Sequence, residues 1–434
     1  MRKNNIISDD YAVSRVPLKA RASLLSTTLI RVGAMTALSQ FLIGATLGHS
    51  MTFGQAMLAT FIGSLLLEFV SLGLGIAGAR EGMSTSLLAR WCGFGRFGSV
   101  LIGMVIAISF LGWFGVQNSI SAKGLNYAFN DQLGFTWSAI ISGIALTVLV
   151  AFGFRALSWT AIVSVPVFFL VIGWIATSLL MGHNITDLIS IAPSGTPFSL
   201  GTGVMVVAGG AISGALITPD ISRYCKNGRH AFWMITLSII ASEFIVNTIA
   251  ILIAHALDTS DVVTIMTQSA GWIGLLAVIL AVVKVNDVNL YSSSLALANA
   301  IECIAGKRLN HVGLIFGLGI AGTVLSIAGI LDNFLNFLIL MGVVFPPVAG
   351  VILVEYYILR TSRKLLDTTR DKEILPTKKL TPSIGWPAII SWVAVSVVGL
   401  IIEWGIPSLN ALLVASVIYW TMCTVRKVYS TKMR

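Results

Sequence analysis

The chain has 434 residues, 56% of them hydrophobic and 11% charged, with a mean hydropathy of +0.90. A soluble domain of that length could not cover its surface with so few polar groups, so the composition specifies an all-α polytopic membrane protein. The formal charge of +10 would suggest a nucleic-acid partner in a soluble chain, but the placement of the basic residues accounts for it otherwise.

The first 23 residues are polar and charged and hold no apolar core of a cleavable signal. Beyond them, runs approaching the ~20 apolar residues that cross a bilayer recur along the chain. They predict twelve transmembrane helices: Thr27–Leu47, Phe53–Ala77, Gly98–Ala122, Trp137–Phe154, Leu157–Met181, Leu200–Asp220, His230–Ala254, Trp272–Ala300, Val312–Ala328, Leu331–Leu359, Pro387–Trp404 and Leu409–Val425. Arg2, Lys3, Arg15, Lys19 and Arg21 precede the first span. Arg80, Arg90 and Arg96 follow the second, Arg155 the fourth, Arg223, Lys226 and Arg229 the sixth, and Lys307 and Arg308 the eighth. Seven more lie between Arg360 and Lys379, and Arg426, Lys427, Lys432 and Arg434 close the chain, whereas the opposite loops hold Lys123 alone. By the positive-inside rule both termini are cytoplasmic, and the charge reports topology rather than a nucleic-acid partner. The expected organisation is a cytoplasmic N-terminal segment (1–26), a ten-helix transport core (27–359), a cytoplasmic linker (360–386) and two accessory helices with a tail (387–434). Cys92, Cys225, Cys303 and Cys423 have no metal-ligand spacing and are expected to be reduced thiols.

Two spans read as interrupted. The sixth contains Gly209-Gly210-Ala211-Ile212-Ser213-Gly214 at its centre, and each glycine costs roughly 1 kcal/mol against alanine in a helix. Unwound there, the span would offer bare backbone groups to a ligand at the midplane; the alternative is that small residues let two helices pack closely. The first span carries Arg31-Val32-Gly33-Ala34-Met35-Thr36-Ala37-Leu38-Ser39-Gln40. Interruptions in spans one and six are the pattern of a five-plus-five inverted repeat.

Ionisable groups inside the spans are few: Arg31, Glu68, Glu243, Lys284 and Asp287. Such groups are expensive in a bilayer and are functional candidates by default. Arg31 stands near a span end, where it could snorkel. Lys284 and Asp287 are three residues apart, hence on one helical face, and could form a packing ion pair or an ion-coupling site. Trp113 lies in mid-span with Gln117 one turn on, and an indole plane beside an amide suits a flat, hydrogen-bonding heterocycle. All five histidines map to loops or span ends, so no convergent catalytic set is visible, and an intramembrane enzyme is the remote alternative.

Several stretches together resemble the bacterial cytosine permeases of the nucleobase–cation symporter (purine–cytosine permease) family. They are Asp10-Tyr11-Ala12-Val13-Ser14-Arg15-Val16-Pro17-Leu18, Gly82-Met83-Ser84-Thr85-Ser86-Leu87-Leu88-Ala89-Arg90 and Gly112-Trp113-Phe114-Gly115-Val116. Asn286-Asp287 with Leu290-Tyr291 and Ala298-Asn299, and Phe345-Pro346-Pro347-Val348-Ala349-Gly350, complete the set. The resemblance covers nearly the whole chain. It implies a LeuT-type five-plus-five inverted repeat with discontinuous helices one and six plus two extra helices, in a bacterial inner membrane. It also implies alternating access and a nucleobase held between spans one, three, six and eight. By the resemblance Trp113 stacks on the base, while Gly210, Ser213 and Gly214 offer unwound backbone. The family's second aromatic ring corresponds to Ala211, its base-reading asparagine to Ala281, and its two sodium-binding hydroxyls to Lys284 and Val285.

The function expected is a permease, not an enzyme, importing cytosine or a related planar N-heterocycle, with no cofactor and no metal. Purines, hydantoin- or allantoin-like compounds, thiamine-precursor pyrimidines and amino acids are the alternative substrates. Gln117 is expected to read the heterocycle edge in place of the missing asparagine. The ammonium of Lys284 is expected to stand where relatives hold sodium, beside Gly33, Ala34 and Asp287. Transport would then be coupled to H+ or sodium-independent, with Na+ coupling as the contrary case.

Overall fold

The computed structural model describes residues 11, 14–35, 38–151, 166–167, 169–178, 181–305, 310–377, 381–402 and 404–432. Their helices, in chain order, are α1 (Leu24–Met35), α2 (Leu38–Ser50), α3 (Phe53–Glu81), α4 (Thr85–Ala89), α5 (Gly95–Ala128) and α6 (Phe135–Ala151). Then come α7 (Phe169–Ser178), α8 (Ile185–Ser190), α9 (Leu200–Leu216), α10 (Thr218–Ser222), α11 (Gly228–Ile239) and α12 (Asn247–Leu257). The last are α13 (Val262–Ala305), α14 (His311–Ile327), α15 (Phe334–Leu353), α16 (Arg363–Arg370), α17 (Trp386–Ile401) and α18 (Pro407–Lys432). Wider π-helical turns at Arg90–Phe94, Ile240–Val246 and Val354–Leu359 follow α4, α11 and α15. Among the described residues, six helical stretches are long and apolar enough to cross a bilayer, and the bent pair α1–α2 would make a seventh. The helices α6, α7, α9, α14 and α17 are apolar but shorter. The predicted end of span four at Phe154 and start of span five at Leu157 fall outside the described residues.

Local chemistry explains the boundaries. Thr52, Ser199, Asn227 and Asn310 each accept a first-turn N–H with the side chain, capping α3, α9, α11 and α14. Helix α3 ends at Gly82, whose φ of 63° is the left-handed conformation that a side chain resists. Leu58, Phe61, Leu65 and Phe69 follow one another at helical spacing on α3, all exposed; such a stripe belongs against lipid. The long segment after α12 begins as α13 at Val262 and bends at Gly271, just before the predicted start of span eight at Trp272.

The centre of the bundle is set by three packings. Helix α5 lies antiparallel to α13: Gly124 faces Leu275 and Val278, and Ser293 donates to the Ala107 carbonyl at 2.9 Å. That register puts residues near Val283 level with Gln117. Helix α9 runs between α3 and α15, and α2 lies along α12. At one end, the fully buried Glu81 of α3 accepts from Arg15 at 2.9 Å, from Tyr356 at 2.8 Å and from Arg370 of α16 at 3.1 Å. The predicted polar linker thus contains a helix, α16, clasped to the end of α3. Burial pulls the Arg15 guanidinium below its usual value, opposed by Glu81. All four cysteines are free.

Candidate functional site

Trp113 sits in the middle of α5, 6% exposed, with its indole met edge-on by Phe334 at 6.0 Å and Phe337 at 5.2 Å. Both α15 rings stand steeply to the indole, at 73° and 82°, so neither is stacked parallel to it. The close approach of α15 depends on Gly112, where a Cβ would collide with Phe337 within normal contact distance. One turn on, Gln117 is fully buried, and neither its Nε2 nor its Oε1 has a hydrogen-bond partner. A buried amide with both ends unpaired costs about 1–3 kcal/mol per group, and native interiors rarely tolerate it without reason. Trp113 and Gln117 therefore present an aromatic ring and an empty donor–acceptor pair on one helix face, as the spacing predicted.

The sixth span departs from expectation. Helix α9 continues through Gly209–Gly214 to Leu216, and the break falls at Ile217, ahead of Pro219. The backbone of Gly210, Ser213 and Gly214 is therefore helical rather than unwound. Tertiary packing overrides the glycine propensity: Gly209 lies against the Leu338 backbone and Gly210 against Ile43, with no room for a Cβ at either. Proline supplies the break because it has no N–H to continue the ladder; the Thr218 hydroxyl donates instead to Ala215 O at 2.7 Å. Gly214 is different, since its nearest neighbour is the Met35 methyl at 4.0 Å, and open space lies beside it. Ala211 and Ser213 are buried at 6% and 4% exposure. Helices α5 and α9 converge on one turn of α15, through Phe337 and Leu338 respectively.

On α13, Ala281 is buried and near the level of Gln117. Lys284 donates from Nζ to the carbonyl of Gly33 on α1, tying the two helices together. From the sequence, Lys284 is expected beside Gly33 and Ala34. The side chains of Asp287 and Ala34 lie outside the described residues, so the Lys284–Asp287 pair is not described. The first span is broken as expected, α1 and α2 being bent by 55°. Arg31 does not snorkel: it is 1% exposed and donates to Ser238 at 3.0 Å and Ser71 at 3.2 Å.

Sequence reasoning missed other participants. Asn286 Nδ2 is buried without a partner, while its Oδ1 accepts from Asn289 at 3.3 Å. Gln40 reaches across from α2 to Glu243 and Asn247, a pairing that only the packing reveals. An asparagine four residues after a glutamate in an apolar run was the available signal. At the other end of α5, Lys123 donates to Asp261 at 2.6 Å. Burial alone would raise the Asp261 carboxyl, but Lys123 and the Thr264 N–H hold it below the ordinary range. An open cleft lined by Lys123, Asp261 and Asp332 also lies at that end, rather than at Trp113.

A bundle of bilayer-length apolar helices, a broken first span and an interior aromatic–amide site describe a multi-pass membrane protein that handles a small solute. The chain belongs to the family described as permeases for cytosine/purines, uracil, thiamine and allantoin, which it matches over residues 16–423. It is 28% identical over 384 residues to the cytosine permease of Escherichia coli strain K12, covering 88% of this chain and 87% of that one. It is 25% identical over 368 residues to the hydantoin permease of Microbacterium maritypicum, covering 77% and 73%. Its fold matches the inward-facing conformation of Mhp1 with a TM-score of 0.78 at 17% identity, over 96% of this chain and 93% of that one. The protein is a transporter and not an enzyme.

Proposed function

We propose that this permease carries a nucleobase such as cytosine, or a related planar N-heterocycle, across a bacterial cytoplasmic membrane by alternating access. The observation that carries the reading is the Gln117 amide, buried with both polar ends unpaired one turn from the Trp113 indole. A flat heterocycle supplies what both lack: a π-face for the indole and an edge with a donor beside an acceptor. An amino-acid carboxylate would make little use of the ring. In this reading Ala211, Ser213, Gly214 and Ala281 line the space opposite, and Gly210 serves packing alone. With alanines where relatives place a ring and an asparagine, Gln117 takes a larger share of the readout.

The same reading assigns twelve spans, since the six long stretches, the bent pair and the five shorter apolar helices total twelve. The breaks after Met35 and at Ile217 favour a five-plus-five repeat of the core, 27–359, with two accessory spans in 387–434. The basic clusters favour cytoplasmic termini. The Lys284–Gly33 bond supports sodium-independent transport, because a fixed ammonium already bridges α1 and α13 where a coupling cation would act. The test is a thermal-shift screen of nucleobases, hydantoin, allantoin and leucine on purified protein. A ligand at 100 times its Kd adds about 2.7 kcal/mol. A shift with a planar heterocycle, absent in Trp113→Ala, supports the reading; a shift with leucine alone overturns it.

A further inference from the structure

The first and seventh spans run side by side in the same direction at a nearly constant offset. Arg31 bonds Ser238, 207 positions on, and Gln40 bonds Glu243 and Asn247, 203 and 207 positions on. Gly44 lies against Asn247 and Ala250, and Gly48 against Ile251 and Ala254. Adding 203–207 to Met35 and Leu38, which flank the bend, gives 238–245, overlapping the π-helical turn Ile240–Val246. The break in one span is thus level with the irregular turn in its neighbour. Helix α1 packs on α11 before this level, and α2 on α12 after it. Two half-spans are paired with two half-spans around one hinge. Turns of this kind inside α-helices are frequently functional.

Glu243 occupies that turn and is fully buried. Its Oε2 accepts from Gln40 Nε2 at 2.9 Å and from Asn247 Nδ2 at 3.4 Å, while its Oε1 accepts from nothing. The packed elements carry two charged groups away from their terminal turns, and neither bonds Glu243. Arg31 of α1 is engaged with Ser238 and Ser71, and Glu68 of α3 accepts from Thr236 at 2.6 Å. The other titratable groups on these elements, His49, Arg80, Glu81, Arg229, His230 and His255, stand in terminal turns of their helices. Lys284, on α13, is spent on Gly33. Among the described residues no cation touches the Glu243 carboxyl. An ionised carboxylate buried without a cation is costly, and a bound proton removes the charge without needing room.

We propose that Glu243 is a proton-binding site at the shared hinge of the first and seventh spans, loaded and unloaded as α1 swings against α2. The proposal rests on the alternating-access reading above and adds the group that couples it to protons. Protonated, the carboxyl is neutral and stays closed in beside Gln40. When the proton leaves, the carboxylate draws on the N-terminal turn of α2, whose first N–H groups have no intrahelical acceptor. The α1–α2 bend shifts with it. One O–H bond breaks on one side of the membrane and re-forms from the other, and no further reactant is involved.

The test has two arms. Infrared pH titration of purified protein, wild type minus Glu243→Gln, looks for the C=O stretch of a buried carboxylic acid and needs no substrate. The proposal expects a band that vanishes reversibly as pH rises; a band absent throughout, or one that never titrates, overturns it. In proteoliposomes, radiolabelled cytosine uptake is compared with and without an inside-alkaline pH gradient, beside counterflow. The gradient should accelerate the wild type several-fold. Glu243→Gln should keep counterflow, which needs no net proton movement, and lose the acceleration. A gradient response retained in Glu243→Gln overturns the proposal. If Glu243→Gln misfolds, Gln40→Leu serves, keeping the carboxyl but losing most of the acceleration; a full response there overturns it too. Failure of wild-type counterflow with cytosine strikes the substrate reading instead, and the infrared arm still decides Glu243.

Discussion

Trp113 and Gln117 divide recognition between a face and an edge, so their loss should read differently. Stacking of a base on an aromatic ring contributes about 1–3 kcal/mol, and Trp113→Ala is expected to weaken binding about tenfold or more. Trp113→Phe should lose less, as measured by ligand titration. Gln117→Leu should change which heterocycles compete for uptake, because the buried amide has no partner to lose except the ligand. A competition profile unchanged from wild type would contradict its role. Ala281→Asn is the converse, restoring a polar group at the level of Gln117 and moving preference toward cytosine. Much of this was legible in the sequence, since a four-residue spacing fixes a shared helix face without tertiary knowledge. The Phe334 and Phe337 rings in T-shaped contact with the indole were not legible, because they lie more than 200 positions away. The pairing of Gln40 with Glu243, itself already an in-membrane candidate, was hidden for the same reason.

Among the elements, the sixth span shows where local propensity misleads. Three glycines in six residues would unwind an isolated helix, but here Gly209 and Gly210 are packed against Leu338 and Ile43, Gly214 alone faces open space, and the stop falls ahead of Pro219. The first span does bend, by 55° between the helices that end at Met35 and begin at Leu38. Close packing also sets the α2–α12 seam: a Cβ on Gly44 would come within 2.7 Å of Ala250 Cβ and 2.9 Å of the Asn247 backbone. Gly44→Leu should therefore force α2 away from α12 and lower the unfolding temperature in detergent, with transport lost. Normal stability and uptake in that variant would mean that the seam is looser than described. The start of α13 offers a pH test. The Asp261 carboxyl is held below its ordinary value by Lys123 and Thr264 against the pull of burial. Its contribution is present above the unfolded carboxylate range and disappears as pH falls through the lowered folded value. Lys123→Met should be less stable than wild type near neutral pH, and the difference should shrink below about pH 4. A difference that grows on acidification would contradict the sign.

For the whole molecule, hydropathy and basic clustering were enough to specify a multi-pass helical protein, because a bilayer imposes a length and charge code on every span. Pairings between distant spans carry no such code, which is why the clasp of Arg15, Tyr356 and Arg370 on Glu81 emerged only from the fold. The bridge from Lys284 to Gly33 gives the molecule-scale prediction. With choline replacing sodium, proteoliposome uptake should be unchanged, and Lys284→Ala should impair it. Strong sodium dependence in the wild type would remove the ammonium from the coupling account. The most direct measurement of the central claim is equilibrium binding of a nucleobase panel to purified wild type, Trp113→Ala and Gln117→Leu. The site described here predicts saturable binding of a planar heterocycle, about tenfold or more weaker in Trp113→Ala, with ligand preference altered in Gln117→Leu. Equal affinity and identical preference in all three proteins would place the substrate elsewhere.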